Sequence, residues 1–536
     1  MKYLILLLII VLSLQGANGQ QKSFYIQDYG ANAKNKNNAK AVQLAIDKAF
    51  AAGGGRVVVP KGRFVIGPIV LKSGVELNLQ KGSVLLGSTN RLDYGNEKAE
   101  ALIQARQQNC ISITGKGEID GRGAELVDNV YRLLRAGVIA DREWKTKRPN
   151  EDNRPKLIHF VDCKNVIIRG VSIKNGAGWT QDYERCINIL VDSVSVNAVC
   201  YWNNDGLDIT DSKNVTITNC YMDVADDGIC LKSEGENNDS CVNVYIANCK
   251  LRSSANAVKL GTASSGGFRN IIIHNIEVWD TYRSAIALEA VDGGFLENVD
   301  IQNIKAVNTG NAVFIKLGHR NSDNRYSKIR NINIKNMHVE VPLGKPDKGY
   351  KMEGPLLRYP KDVFPAKNGE VQSVSPWNNS GLDSTTAIVY KHNVFPSSIT
   401  GLPDHEVEDV TLENVEIIYE GGADSSTAFF PLSGLTSITE AEAAYPEFSM
   451  FGELPVWGLY VRHAKGITLK NVTIRSKKED FRVPVIFDDV QNLHLEKLKI
   501  PDSKEMPAVL LHKVKDYSFK DLELPRSEAE AIKIQR

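Results

Sequence analysis

From about residue 160 onwards the chain alternates apolar and polar residues, and the alternation keeps returning in one phrase. An Asn or Gly leads into alternating apolar residues, then a second Asn, then more apolar residues. The phrase reads KNVIIRGVSIKNG from Lys164, KNVTITNCYM from Lys213, VNVYIANCKL from Val242, RNIIIHNIEVW from Arg269, ENVDIQNIKAV from Glu297 and RNINIKNMHVE from Arg330. Weaker copies begin at Glu408 and Lys465. The leading Asn falls at Asn165, Asn188, Asn214, Asn243, Asn270, Asn298 and Asn331, at gaps of 23, 26, 29, 27, 28 and 33 residues. Self-similarity at such a period marks stacked repeats. Val, Ile and Thr at period two make the content β, without a 3.6-residue stripe. Two or three short strands and their turns fit one coil of a parallel β-helix. The recurrent Asn suits a turn that needs left-handed backbone and allows side-chain amides to stack. The LxxLxL spacing of a leucine-rich repeat is missing, and a propeller's hairpin signals are few.

The N-terminal stretch has another pattern. Asn38 to Ala52 carries helical apolar spacing and ends in Gly53-Gly54-Gly55, before the strands RVVVP, RFVIGPIVL and VELNLQKGSVLLG. This predicts a short amphipathic helix shielding the open end of a solenoid. The expected organisation is one all-β domain over 20–536, with cap and first coils in 20–105. A stretch at 341–402, rich in Pro, Gly, Lys and Asp and holding Tyr350, Tyr359, Phe364, Trp377 and Tyr390, breaks the rhythm. It is expected to be an insertion that shapes a cleft. A second break, at 425–454, is expected to flank the same cleft. A chain of 536 residues exceeds one ordinary globular core, but a solenoid buries a new slice of core with every coil.

Lys2, the apolar run Tyr3 to Leu14 and the small residues before Gln20 read as a secretory signal cut after Gly19. The run is too short to span a bilayer, so a secreted or periplasmic protein without a membrane segment is expected. Lys+Arg and Asp+Glu number 65 and 64; no global field draws nucleic acid. Export permits disulfides among the eight cysteines. Spacing leaves stacked buried thiols equally open, with Cys230–Cys241 the first pair to test. There is no CxxC, HxH or HExxH spacing, so no metal or other cofactor is expected. A capped solenoid is expected to be a monomer.

The densest polar constellation is Asn203-Asn204-Asp205-Gly206-Leu207-Asp208, followed by Asp226-Asp227-Gly228. Asp205 and Asp226 are 21 residues apart, close to one coil, and adjacent coils lie about 4.8 Å apart. Their carboxylates should gather on one face. Crowded like charges raise at least one pKa, which supplies an acid and a base for glycosidic cleavage. Turn-capping aspartates or a Ca²⁺ site would give the same spacing.

These residues resemble the polygalacturonases, family 28 of the glycoside hydrolases, within the pectin-lyase-like right-handed β-helix superfamily. The likeness covers most of the mature chain, from FYIQDYGA through VVVPKGRFVIGPIVLKS to the later coils. The family's Asn-Thr-Asp and Asp-Asp motifs are matched by Asn203-Asn204-Asp205 and Asp226-Asp227. The resemblance implies inverting hydrolysis, with Asp226 as general acid and Asp205 and Asp227 activating water. Two motifs depart. Gly-His-Gly is replaced by Ala255-Asn256-Ala257, and Arg-Ile-Lys, which grips a substrate carboxylate, by Ala287-Leu288-Glu289. Asn204, Lys232, Asn256, Lys259, Arg283 and Glu289 are the expected substrate-binding residues, with His319-Arg320 as further cations. Trp179, Asp182 and Tyr183 lie where an aromatic could stack on a sugar, or simply pack a corner.

The expected substrate is an acidic, uronate-containing plant or algal cell-wall polysaccharide or its oligosaccharides. Two rivals stay open on the same scaffold. One is β-elimination on a uronate glycan, as a lyase or dehydratase; the other is a non-catalytic glycan-binding β-helix.

Overall fold

A computed structural model describes residues 22–535 apart from 143, 146–147, 236–238, 344–394, 424–430, 453, 502 and 504–505. The expected export segment, and most of the expected insertion with its five aromatics, lie outside the described residues. The chain is mainly β, with 31 strands among the described residues joined into one hydrogen-bonded system whose coil-to-coil pairings are parallel. Leu207–Thr210 pairs with Ile229–Ser233, which pairs with Val258–Ser264, which pairs with the end of Phe268–Ala290. Period-two alternation then sorts the side chains. Leu207, Ile209, Ile229, Leu231, Val258, Leu260, Ile286 and Leu288 point into one continuous core, each buried aliphatic contributing about 1.5–3 kcal/mol. Asp208, Cys230, Lys259 and Ala287 share the opposite, outward row.

The leading asparagines form one corner of the coils from Asn165 to Asn331. Asn165 to Asn331 all sit at positive φ, between 55° and 61°. Each donates from Nδ2 to the Oδ1 one coil earlier: Asn188 to Asn165, Asn214 to Asn188, Asn243 to Asn214, Asn270 to Asn243, Asn298 to Asn270 and Asn331 to Asn298. A second ladder runs through Asn219, Asn248, Asn275, Asn303, Asn336, Asn414 and Asn471. Asn tolerates left-handed backbone because its short polar side chain bonds locally, whereas another L-residue loses about 1–2 kcal/mol there. Asn270→Ala should therefore cost about 2 kcal/mol or more, combining that strain with two lost amide bonds. A urea midpoint unchanged from the parent would refute this.

The helix Ala39–Ala51 inserts Val42, Ala45, Ile46 and Ala49 into the same core as the first coils. A second helix, Gly123–Arg135, was not signalled by the alternation. It and the residues after it interrupt the coils between Glu118–Asp120 and Ile158–Val161.

All eight cysteines are free thiols, so the Cys230–Cys241 pairing is corrected. Cys230 faces outward between Asp208 and Lys259, its thiol 3.1 Å from the Gly261 carbonyl. Cys241 sits at the next corner, where its thiol meets the carbonyls of Ile209 and Lys232. Cys163, Cys186, Cys220, Cys241 and Cys249 join the apolar core; Cys110 is exposed.

Candidate active site

Asp205 and Asp227 each precede a glycine, and the two glycines are stacked. A Cβ on Gly206 would lie 2.5 Å from the Gly228 carbonyl, and one on Gly228 2.5 Å from that of Ala257. Only a bare backbone lets these coils close so tightly, and the closeness brings the acids together. Carboxylate oxygens of Asp205, Asp226 and Asp227 all lie within 4.8 Å of one another. Asp205 and Asp227 are nearly buried, at 3% and 4% exposure, while Asp226 is partly exposed. All three line a cleft of about 480 Å³.

The cleft is ringed by cations. Lys232 Nζ lies 2.7 Å from Asp208 and 3.6 Å from Asp205. Lys259 Nζ lies 3.3 Å from Asp227 and 3.7 Å from Glu289, and meets the Tyr445 hydroxyl at 3.2 Å. Arg283 pairs with Glu447 at 3.2 Å, both buried, and Arg320 grips Asp292 through two bonds of 2.8 Å. Arg148, also in the wall, lies over the Trp202 ring at 5.3 Å.

These charges divide the acids. Burial pushes Asp205 well above the usual carboxylate range, helped by the negative charge of Asp208 and Asp226. Burial also acts upward on Asp227, but Lys259, Lys232 and Arg283 outweigh it and hold that acid below its ordinary value. Asp208 and Glu289, both desolvated, are pushed up to about 7. Lys259 stays charged: desolvation works against it, and Asp227 and Glu289 more than compensate. One cleft thus holds two neighbouring carboxylates whose proton affinities are driven in opposite directions, a contrast that acid–base chemistry uses.

Of the expected binding residues, Lys232, Lys259 and Arg283 line the cleft with the three aspartates. Asn204, Asn256 and Glu289 stand behind its wall. Asn204 donates to the carbonyls of Gly176 and Gly178 and accepts from the Tyr201 amide. Asn256 donates to Asp227 Oδ1 from both its side chain, at 2.9 Å, and its backbone, at 3.0 Å. Glu289 accepts from Thr262 at 3.1 Å. Trp179 lines the cleft, with the ammonium groups of Lys156 and Lys232 over its ring at 4.4 and 4.6 Å. Tyr183 is core. Arg148, Glu151, Glu234 and Tyr445 went unnoticed in the sequence, because each reaches the site from outside the repeating phrase. A second cluster, His159, Asp182 and Glu184, lies further along the same outward face, where Lys156 Nζ already sits 2.5 Å from Asp182.

The position of Ala287 explains the missing Arg. Ala287 and its outward neighbour Phe314 are fully buried, packed with Tyr282 and Phe448. A segment around 432–452 covers this part of the sheet, so no side chain at 287 could reach substrate.

Parallel coils here gather an acid trio from successive rungs into one outward cleft. The model for glycosyl hydrolases family 28 matches residues 52–240, a stretch holding all three aspartates and ending before Lys259. An exo-poly-α-D-galacturonosidase of Dickeya chrysanthemi is 24% identical over 74% of this chain and 71% of its own length. Among solved structures, an exopolygalacturonase from Thermotoga maritima aligns with TM-score 0.55 and 21% identity, covering 74% of this chain and 87% of that one. A family 28 exopolygalacturonase from Yersinia enterocolitica aligns with TM-score 0.53 and 16% identity, covering 93% and 79%. The chain is a polygalacturonase-like relative of the family 28 glycoside hydrolases.

Proposed function

We propose that this protein hydrolyses glycosidic bonds in an acidic, uronate-containing cell-wall polysaccharide or its oligosaccharides, and that it does so after export to the periplasm or beyond. The observation that carries the reading is the trio of carboxylates within 4.8 Å of one another in a cation-lined cleft. Asp226, the most exposed of the three, donates its proton to the leaving oxygen. Asp227, held ionised, accepts the proton of the attacking water, and Asp205 positions that water. A water bonded to two oxygens at about 2.8 Å each bridges up to about 5.6 Å, so it fits between Asp205 and Asp227. The acids are closer than the ~6.5–9.5 Å usual for inverting pairs; inversion here relies on that bridging water and on the family resemblance. Arg148 has no carboxylate partner among the described residues, which suits it to a uronate carboxylate.

Lys259 argues for hydrolysis over elimination. Elimination needs a free base at the substrate's C5, and Lys259 is instead engaged by Asp227, Glu289 and Tyr445. The fold is read as one right-handed solenoid over 20–536, its N-terminal end shielded by Ala39–Ala51. Among the described residues no helix is long and apolar enough to cross a membrane.

The test is a panel of acidic plant and algal oligosaccharides, followed by mass and ultraviolet absorbance together. New reducing ends without absorbance, and a first-released anomer opposite to that of the broken bond, are expected. An absorbing unsaturated uronate would replace this reading with elimination, and turnover of nothing on the panel would remove it.

A further inference from the structure

Arg154 is a buried charge that the chemistry does not use. It is 2% exposed, yet its hydrogen bonds among the described residues all go to uncharged oxygens. Nε donates to the Pro149 carbonyl at 2.9 Å, Nη1 to the carbonyls of Ala177 and Trp202 at 3.2 and 2.7 Å, and Nη2 to Asn203 Oδ1 at 2.8 Å. Burying a cation is costly unless its donors are satisfied. Burial, and the charge of Arg148 nearby, lower its pKa to about 10, which leaves it charged at neutral pH. A planar guanidinium can hold oxygens in several directions at once, and these four belong to three separate stretches of chain.

Each of the three stretches supplies part of the cleft. Pro149 follows Arg148, whose guanidinium lies 5.3 Å from the centre of the Trp202 ring. Ala177 is two residues before Trp179, and Asn204 binds the carbonyls on either side of it, those of Gly176 and Gly178. Trp202 and Asn203 lead into Asp205, with Asn203 in left-handed backbone at φ 55°. Arg148, Trp179, Asn203 and Asp205 all line the cleft. Trp202 is held twice, through its carbonyl by Arg154 and over its ring by Arg148. The stretch that carries Arg148 has no repeat and lies between strands, so strand register does not set the spacing between Arg148 and the aspartates. Arg154 joins the two directly.

Resting on the reading of Arg148 as the partner of a uronate carboxylate, we propose that Arg154 is a positioning residue for acid recognition. It fixes Arg148 and Trp179 against the Asp205 turn, so that a sugar whose carboxylate meets Arg148 brings its glycosidic oxygen to the aspartates. Lysine is no substitute: an ammonium on a flexible stem has three donors and lacks the fork that reaches all three stretches.

The experiment measures kcat/KM on a short oligogalacturonate and on its methyl ester, which has the same sugars without the charges, and takes their ratio. Both values come from one preparation, so the ratio does not depend on how much of a variant is folded. The wild-type chain should prefer the acid. Arg154→Lys should lower that preference about 10- to 100-fold, the range of a charge-assisted bond, through a higher KM for the acid, with the ester little affected. Arg148→Met should do the same, and adding Arg154→Lys to Arg148→Met should lower the preference no further. Should Arg154→Lys give no folded protein, Asn203→Gly removes one of the four bonds, suits the left-handed backbone and should lower the preference in the same direction. Equal losses on acid and ester, the result of a merely structural Arg154, would overturn the proposal and leave hydrolysis standing. Losses that multiply in the double variant would overturn the route through Arg148. A wild-type chain that cleaves both substrates without preference would overturn the uronate role of Arg148 and this inference with it. Cleavage of neither would overturn the inference together with the hydrolytic reading on galacturonate.

Discussion

Asp226→Asn should lower kcat by about 10²–10⁴-fold, the usual contribution of a positioned general acid, and leave the fold intact. The side chain is partly exposed, and its Oδ1 accepts the Asp227 amide at 3.0 Å, a bond the asparagine oxygen can also accept. The amide has no acidic proton for the leaving oxygen, so the chemical step suffers while binding stays. A substrate with an activated leaving group, which needs little protonation, should recover much of the loss. Turnover of an ordinary oligosaccharide within a few-fold of wild type would remove Asp226 from the chemistry.

The second large effect is at Lys259. This ammonium is 2% exposed and lies between Asp227 and Glu289. Removing one member of a buried ion pair leaves the other charge uncompensated, at about 3–5 kcal/mol, and Lys259→Met should lose stability on that scale. The pH dependence has a definite sign. Asp227 has a depressed folded pKa; its stabilising contribution is present above its unfolded value of 3.8 and is lost as pH falls through the folded one. Glu289 behaves oppositely: its folded pKa of about 7 against 4.5 means that stability declines as pH rises through that window. Without Lys259 both acids keep their protons to higher pH. The deficit of Lys259→Met should therefore be smallest in acid and grow towards neutrality. The acid limb of kcat/KM should move up in pH, because Asp227 must be ionised to accept a proton. Adding Glu289→Gln should return part of the lost stability, so the double variant loses less than the two singles combined. Urea midpoints across pH for the four proteins of the cycle test this, and a pH-independent deficit would refute it.

The coil was legible because its information is local and repeated. Each leading Asn needs left-handed backbone, each alternating run needs a buried face, and both recur about once per coil. The aspartates were legible for the same reason: two Asp-Gly pairs one coil apart must stack if the coils do. The walls were not, because they come from chain that carries no repeat. Tyr445 meets Lys259 across 186 residues of sequence, and Arg148 arrives from the stretch after an unforeseen helix. Ala287-Leu288-Glu289 reads in sequence as a lost carboxylate grip; in the fold Ala287 is buried against Phe448 and Glu289 lies 3.7 Å from Lys259. Asn256, read as a substrate contact in place of a histidine, instead braces Asp227 from behind.

The asparagine ladders are indifferent to what happens between their rungs. Asn336 and Asn414 are bonded although 78 residues separate them, and Asn414 and Asn471 across 57, much as Asn188 and Asn165 are across 23. Outgrowths of any size can therefore leave a corner and return without shifting the register beneath. A frame of this kind can exchange its rims while the rungs that carry the aspartates keep their spacing.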